Sequence, residues 1–184
     1  MPETKDYEKY RDDIPLSDKL LRLTWRIIRL IFFSPFSLPW FNNWRIFLLK
    51  CFGAKIGKGC IVYSSAYIPA PWNLTMGNIS CIGPDVQLHI GKTFLGSKVT
   101  ISQRSYLCSA SHEITSLNTP FVSGKIVVGD YAWIAAESFV MMNVTIGEGA
   151  IVGARSAVFR DVEPWNVVGG NPAKYIKKRT IDEK

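Results

Sequence analysis

The sequence has little histidine and no closely spaced cysteines. Its 184 residues include only two histidines, His89 and His112, and four scattered cysteines among which no CxxC pair occurs. A zinc cluster needs grouped ligands and a disulfide framework needs paired cysteines, so neither is indicated. We therefore expect no metal centre, and we expect the cysteines to be reduced, buried thiols of a cytoplasmic protein.

Long apolar runs are also missing. Residues 1–18 mix acidic and basic side chains, so no secretory signal peptide is visible. The apolar stretch without a charge at residues 30–44 contains two prolines and is shorter than the ~20 apolar residues that a spanning helix needs. The formal net charge of +7 suits an anionic partner such as a phosphate, a nucleotide or a membrane surface. No nucleic-acid-binding motif accompanies that charge, so we expect no nucleic-acid partner.

Aliphatic residues recur every six positions over most of the chain. The series, which has breaks in it, is Ile56, Val62, Ile68, Leu74, Ile82, Leu88, Leu95, Ile101, Leu107, Val128, Ile134, Val140, Ile146, Val152 and Val158. Four positions after most of these comes a small residue or a valine: Cys60, Ala66, Val86, Val99, Ser105, Ser111, Ala132, Ser138, Val144, Ala150, Ser156 and Val162.

A period of six fits neither an α-helix nor a simple alternating strand. It fits a short extended segment with two inward side chains, followed by a bend. Three such segments closing on themselves make one coil, and stacked coils bury the aliphatic residues in a continuous core. The sequence therefore predicts an all-β fold, a triangular parallel β-helix.

The six-residue pattern stops between Leu107 and Val128. In this register Ser111 is the last inward residue and His112 falls on a corner. The sequence therefore predicts an external loop, residues 113–124, that begins at the histidine and can fold over it.

Smaller irregularities and the two ends divide the chain further. The pattern slips by two residues after Leu74 and by one after Leu88, which predicts local bulges of the coil. We expect an N-terminal helical and aromatic extension at 1–53, the β-helix with its loop at 54–163, and a basic C-terminal tail at 164–184.

Residues 19–50 contain six basic residues and no acidic one. Their spacing predicts a helix, a break at "SPFSLPW" and a second helix in "WRIFLLKCFG". We favour a helical cap over the open end of the β-helix, whose backbone edge would otherwise be exposed. A second interpretation, compatible with the first, is contact with the inner face of an anionic membrane. The residues behind it are Arg22, Arg26, Arg29, Arg45, Trp25, Phe32, Phe33, Trp40 and Trp44.

Four features together resemble the hexapeptide-repeat acyltransferases over about residues 54–179: the repeat, the loop after "SH", the "WIA" that follows and the final "GGNPAKYIKK". The galactoside and maltose O-acetyltransferases are similar. The colanic-acid-type exopolysaccharide acetyltransferases are more similar still, because the likeness extends to "WRIFLLKCFGAKIG", "IPAPWNLTMGN" and "ISQRSYLCSASHE". The resemblance implies a left-handed parallel β-helix, a homotrimer, and acetyl-CoA as the acyl donor.

The resemblance also implies the roles of individual residues. His112 matches the catalytic base, Glu113 stands where the family usually has aspartate, and Asp85 falls near a polar residue that orients the acceptor hydroxyl. The residues implied for the pantetheine arm, the adenine and the phosphates of CoA are Trp133, Ala135, Ala136, Ala154, Phe159, Arg160, Lys174 and Lys177. A sugar hydroxyl is a poor nucleophile, and histidine, with an unperturbed pKa of about 6.5, is suited to take its proton.

The implied function is acetyl-CoA-dependent O-acetylation of a sugar or exopolysaccharide precursor. Two other functions stay open: an acyltransferase that uses an acyl carrier protein, and a non-catalytic β-helix scaffold. The γ-type carbonic anhydrases share the fold but need three histidine ligands, and this chain has two. His89 lacks the sequence context of His112 and is expected to be structural or at a subunit contact. Cys108 has no neighbouring base and is expected to be structural.

Overall fold

The computed structural model describes residues 15–116 and 119–181. The first fourteen residues of the predicted extension, two residues of the predicted loop and the last three residues of the predicted tail lie outside the described residues. Two helices come first. Helix α1 (Leu16–Ile28) continues into a π-helical turn at Arg29–Phe33, and α2 (Asn42–Cys51) follows a 3-10 turn at Pro39–Phe41.

Short strands make up the rest of the fold, with one further 3-10 turn at Pro71–Asn73. The strands are β1 (Lys55–Ile56), β2 (Ile61–Val62), β3 (Leu74–Met76), β4 (Cys81–Ile82), β5 (Gln87–Leu88), β6 (Lys92–Leu95), β7 (Thr100–Ile101), β8 (Tyr106–Cys108), β9 (Ala110–His112), β10 (Phe121–Ser123), β11 (Lys125–Val128), β12 (Trp133–Ile134), β13 (Phe139–Met141), β14 (Thr145–Ile146), β15 (Ile151–Val152), β16 (Ala157–Val158), β17 (Asn166–Gly169) and β18 (Lys174–Lys178).

Three parallel sheets form the sides of a prism. Face I contains β1, β3, β6, β11 and β14; face II contains β2, β4, β7, β12, β15 and β17; face III contains β5, β8, β13 and β16. The chain visits the faces in the same cyclic order, and each strand pairs with the coils above and below it. The predicted triangular parallel β-helix is confirmed in this three-sided arrangement. We name the edges by the faces they join, in chain direction.

The inward aliphatic residues form the core, as the six-residue period predicted. Every member of the aliphatic series is at most 7% exposed. Among the small residues and valines that stand four positions after these aliphatic residues, only Ser111 is not buried. Each fully buried Val, Leu or Ile side chain contributes about 1.5–3 kcal/mol, so the stack dominates the stability of the prism.

The two slips of the pattern both lie on the III–I edge. Leu74 is buried but pairs with Thr93, whereas Met76 continues the face I stack between Ile56 and Leu95. The two extra residues of the first slip therefore lie before the paired part of β3, next to the 3-10 turn. The single extra residue of the second slip falls between β5 and β6.

Helix α2 lies against the first coil. Its Leu48 and Leu49 are buried in the core. Asn42 Nδ2 donates to the Cys60 carbonyl at 2.9 Å, and its Oδ1 accepts from the Val62 amide at 3.0 Å. These bonds satisfy backbone groups of the first coil on the side where no further strand pairs with β2.

Part of the residue set predicted to face a membrane is buried instead. Arg45 is 3% exposed and donates to the carbonyls of Val62, Phe36 and Leu38. Trp25 is 1% exposed and donates through Nε1 to the Ile68 carbonyl at 2.6 Å. Phe33 is equally buried, with its ring 5.8 Å from that of Trp25. The prediction was wrong for these three residues because the sequence did not show which side of each helix faces the prism.

The outer side of α1 is apolar. Its inward side carries Arg22 and Trp25. Arg29, the first residue of the turn after the helix, reaches the Ala66 carbonyl and the ring of Tyr67. The large apolar residues exposed on α1 and on the turn after it are Leu16, Leu20, Leu21, Leu23, Ile27, Leu30, Ile31 and Phe32. In the part of the chain that the structure describes, no helix is long and apolar enough to cross a membrane.

The predicted basic tail is largely part of the fold. Strand β18 pairs antiparallel with β17 at the end of face II. Arg179 Nη1 donates to the carbonyls of Tyr131 and Gly149, both at 2.9 Å. The cysteines are free, but only Cys60 is fully buried and Cys51, at the end of α2, is exposed. The expectation that all four thiols are buried was therefore wrong.

Candidate active site

A β-hairpin interrupts the coil on the III–I edge. Strand β9 pairs antiparallel with β10, so that His112 lies opposite Phe121 and Ala110 lies opposite Ser123. The predicted loop 113–124 thus includes the second strand of this hairpin. Residues two apart on a strand share a face, so these four side chains belong to the same face of the hairpin.

The chain leaves the prism before His112. The Gly124 amide donates to the Ser109 carbonyl at 2.8 Å and closes the hairpin at its root. Ser111 pairs with Val122 in the hairpin, which is why it does not point into the core. The unbroken register had predicted His112 at a corner of the coil. It lies on the hairpin instead.

The imidazole of His112 is exposed and held by one backbone group. Its Nδ1 lies 2.6 Å from the Thr119 carbonyl oxygen, and its ring packs edge-on against Phe121 at 5.8 Å between centroids. A carbonyl oxygen can only accept, so Nδ1 is the protonated nitrogen in the neutral ring. Nε2 is then left with a lone pair that can accept a proton from a substrate.

Glu113 does not contact this imidazole. Its carboxylate accepts from the Thr115 amide at 3.0 Å and from the Thr115 hydroxyl at 2.8 Å. Those two hydrogen bonds, the amide first, lower the pKa of the Glu113 carboxyl. In this arrangement Glu113 shapes the turn after β9, and the Thr119 carbonyl orients the histidine.

His89 lies close to His112, which the sequence did not indicate. Its ring centroid is 6.3 Å from that of Phe121, the same ring that His112 contacts, and 6.1 Å from that of Tyr106. Burial lowers the pKa of His89, while a hydrogen bond with the Ala110 carbonyl opposes that shift. The only signal in the sequence was that His89 stands one coil before the interruption, on the edge where the coil slips.

Aromatic rings continue along face III from the hairpin. Phe139 lies between Tyr106 at 5.7 Å and Phe159 at 6.0 Å, measured between ring centroids. Burial, followed by the neighbouring Cys108, raises the pKa of Tyr106 to about 12. Phe159 is exposed at the end of this row, and Arg160 follows it on the III–I edge.

The residues expected to line the pantetheine arm lie elsewhere on the prism. Trp133 is exposed on face II, and its Nε1 donates to Ser102 Oγ at 2.8 Å. Ala135, Ala136 and Ala154 follow at the II–III edge. The carbonyl of Ala136 accepts from the Arg155 amide at 2.9 Å.

Asp85 also occupies the II–III edge, two coils before Glu137. Both have left-handed backbone conformations, with φ of 54° and 60°. Arg104 and Arg155 occupy the same corner position in the coils on either side of Glu137, with φ of 56° and 57°. The Glu137 carboxylate bonds both guanidinium groups. Charges of alternating sign therefore run along this edge.

One chain does not gather all the expected residues around one point. His112, Phe159 and Arg160 lie on the III–I edge, whereas Trp133 lies on face II, and Ala135, Ala136, Ala154 and Asp85 lie at the II–III edge. Lys174 and Lys177 are exposed on β18, at the end of face II. Among the described residues no group of three His, Cys, Asp or Glu side chains could hold a metal ion.

Known proteins of the same kind exist, although no family model matches the chain. WcaF of Escherichia coli strain K12, whose name assigns it to colanic acid biosynthesis as an acetyltransferase, is 43% identical over 166 residues. The match covers 89% of each chain. The chain belongs to the hexapeptide-repeat acetyltransferases.

Two solved acetyltransferases of this family share the fold. A Vibrio cholerae enzyme complexed with acetyl coenzyme A superposes with a TM-score of 0.80 at 21% identity, over 94% of both chains. A galactoside acetyltransferase in complex with coenzyme A gives a TM-score of 0.81 at 22% identity, over 92% of this chain and 86% of its own. The family resemblance read from the repeat and the motifs is confirmed.

Proposed function

We propose that this acetyltransferase moves an acetyl group from acetyl-CoA to a hydroxyl of a sugar or exopolysaccharide precursor, with His112 as general base. The observation that carries the proposal is the exposed imidazole whose Nδ1 is engaged by the Thr119 carbonyl. Nε2 takes the hydroxyl proton as the oxygen attacks the thioester carbonyl. The C–S bond then breaks, and the proton passes to the leaving thiolate of CoA.

The donor lies, in this proposal, along the positions that the family resemblance implies. Trp133, Ala135, Ala136 and Ala154 line the pantetheine arm, and Phe159 lies beside the adenine. Arg160, Lys174 and Lys177 bind the phosphates. In support, these three side chains are exposed, and none has an ion-pair partner within residues 15–116 and 119–181.

A homotrimer of left-handed prisms would bring the separated residues together. The base lies on the III–I edge and the pantetheine residues lie on face II and its II–III edge. A neighbouring chain can therefore supply one set to the other across an interface, as cyclic symmetry allows. In that assembly Asp85 orients the acceptor hydroxyl, and Glu113 fixes the turn that positions His112.

The exposed residues on the outer side of α1 support a location at the inner face of the cytoplasmic membrane. Arg26 is exposed beside the apolar residues of the helix, and Trp40, Trp44 and Phe47 are exposed on the following segment. An amphipathic helix with basic residues and interfacial aromatics can bind an anionic lipid surface. Arg45, Trp25 and Phe33 have no part in this proposal, since they are buried.

The test is His112→Ala with acetyl-CoA and a panel of sugar, nucleotide-sugar and lipid-linked acceptors. We expect turnover to fall by the ~10²–10⁴-fold that loss of a general base causes. The affinity for acetyl-CoA and the melting temperature should stay unchanged, because the side chain is exposed on the hairpin. Turnover within a few-fold of the wild type would refute the catalytic role.

The same panel separates the two other functions. Replacing acetyl-CoA by an acyl carrier protein as donor identifies the first of them. A protein that consumes neither thioester with any acceptor would be a scaffold.

A further inference from the structure

A groove of ≈ 420 Å³ opens on the III–I edge at the root of the His112 hairpin. Polar side chains from four separate segments line it: Asn73, Lys92, Ser123, Lys125 and Asn143. None of these residues belongs to the donor site or to the base proposed above.

Two lysines face each other in this groove. Strands β6 and β11 pair in parallel with Lys92 opposite Lys125, so their backbones are ~4.8 Å apart. Both side chains are exposed, and in the described part of the chain neither has an ion-pair partner. Like charges placed directly opposite in a sheet are destabilising. An anion bound between the two ammonium groups would remove that repulsion.

Neutral groups beside the lysines complete the lining. Asn143 Oδ1 accepts from the Lys125 amide at 3.3 Å, which leaves its amide NH₂ able to donate. The Ser123 hydroxyl lies in the same groove and can also donate.

Two glycines form part of the floor because the coils approach closely there. A Cβ at Gly91 would collide with the Ser109 carbonyl, and one at Gly124 would collide with the Asn143 side chain. Both positions therefore require glycine, because the coils pack too closely there to admit a side chain.

The groove and His112 lie on the same side of the hairpin. Ser123 and Phe121 share a face of β10, and Phe121 is the partner of His112 across the hairpin. Two residues along a strand correspond to ~6.6 Å. A ligand anchored beside Ser123 would therefore extend along that face to the imidazole.

We propose that this groove binds the phosphate of the acceptor, so that the substrate class is a sugar phosphate or a sugar carried on a diphosphate. The assignment rests on the function proposed above, because it takes His112 as the base that the acceptor hydroxyl must reach. Lys92 and Lys125 bind the phosphate oxygens, Asn143 and Ser123 donate to them, and the sugar spans the distance to Nε2. The phosphate groups of CoA stay with Arg160, Lys174 and Lys177.

The first experiment measures binding of inorganic pyrophosphate to the full chain by titration calorimetry. We expect the dissociation constant to rise by roughly tenfold or more in Lys92→Gln/Lys125→Gln, since two charge-assisted contacts are lost. Lys58→Gln, which removes an exposed lysine near the start of the first coil, is the matched control and should bind like the wild type. Equal binding by all three proteins would overturn the proposal.

A second measurement separates this groove from the donor site. Pyrophosphate binding is repeated with CoA at saturation, and it should persist in the wild type. If CoA abolishes it, the lysines belong to the donor site and the proposal fails. Neither titration needs turnover. The binding result can therefore be interpreted even if His112 proves not to be the base.

The source of the phosphate is distinguished by two probes. UDP-glucose in solution and farnesyl diphosphate in detergent micelles are titrated under the same conditions. Preference for the first, lost in the double lysine variant, assigns a soluble nucleotide sugar. Preference for the second, lost in the same variant, assigns a lipid-borne diphosphate. Binding of neither above the level of the lysine variant contradicts the proposal.

Discussion

His112 and His89 have the same side chain in opposite situations. His112 is exposed, and a single carbonyl fixes which nitrogen carries its proton. His89 is half-buried among aromatic rings, its Nδ1 has no hydrogen-bond partner within the described residues, and burial lowers its pKa. A histidine with a lowered pKa is neutral at pH 7, so His89 adds no charge beside His112.

Glu137 provides a prediction at the residue scale. Its pKa is held below the usual range by hydrogen bonds from Arg155 first and Arg104 second. A carboxyl with a lowered pKa stabilises the fold above its unfolded pKa of about 4.3 and loses that contribution as the pH falls through the folded value.

Glu137→Gln should therefore melt below the wild type at pH 6–7, and the difference should shrink as the pH falls below about 4. Thermal unfolding across this range measures it. Glu148→Gln, at a different edge, is the control: it removes a carboxylate that has no ion-pair partner among the described residues, and it should melt like the wild type at pH 6–7. A gap between wild type and Glu137→Gln that stays constant down to pH 3 would contradict the prediction.

The apolar outer side of helix α1 is not covered by any other described part of the chain. Its polar and aromatic side, with Arg22, Trp25 and Arg29, faces the prism, and the opposite side is a stripe of leucine and isoleucine. An exposed apolar stripe of this kind indicates an interaction surface, because an ordinary surface helix exposes polar residues on its outer side. The absence of acidic residues in 19–50 favours an anionic lipid surface over a second copy of the same basic segment.

We expect the wild type to co-sediment with vesicles that contain phosphatidylglycerol at low salt, and not with phosphatidylcholine vesicles. Leu20→Ser/Leu23→Ser/Ile27→Ser should lose this binding, because the apolar stripe is removed without touching the inward side. Thr24→Ala, an exposed position on the same helix, should bind like the wild type. If the wild type ignores anionic vesicles, the stripe is covered in another way and the membrane proposal is wrong.

At the scale of the whole molecule, the separation of the proposed base, His112, from the residues proposed to line the pantetheine arm predicts an assembly. Sedimentation should give three times the chain mass of 20.7 kDa. A stable monomer with full activity would exclude the trimer.

Mixing two inactive variants gives a sharper test of the composite site. His112→Ala and Trp133→Ala remove residues that lie on different parts of the prism. After dissociation and reassembly in equal amounts, about a quarter of the interfaces should pair an intact His112 with an intact Trp133 of the neighbouring chain. Activity should return to that extent. No recovery would mean that both residues act within one chain.

The prism could be predicted from the sequence because its core follows from a regular spacing along the chain. Each aliphatic position repeats at a fixed interval, and a single register determines which side chain is inward. Ser111 departed from that register because backbone pairing in the hairpin replaced coil stacking. No periodicity reports such a change, which depends on pairing between Ser111 and Val122, a residue of the other strand of the hairpin.

The remaining differences have a common physical origin in contacts between distant segments. Arg45 is buried where it donates to three carbonyls of other segments, and His89 lies near His112 because both rings pack against Phe121 of the hairpin. The groove with Lys92 and Lys125 depends on a strand pairing that spans the hairpin. The sequence therefore predicted the core and singled out His112, but it did not indicate which other polar groups lie near them.

Every departure from three six-residue segments per coil falls on the III–I edge. The 3-10 turn at Pro71–Asn73, the extra residue between β5 and β6, and the His112 hairpin are all there. An insertion or deletion at this edge leaves the next strand free to resume the same ladder, so natural variation can accumulate there without disturbing the stack. If the acceptor binds at this edge, as proposed, related enzymes can differ in the acceptor that they acetylate while keeping the same core. Transplanting the edge between homologues should then change which acceptor is acetylated.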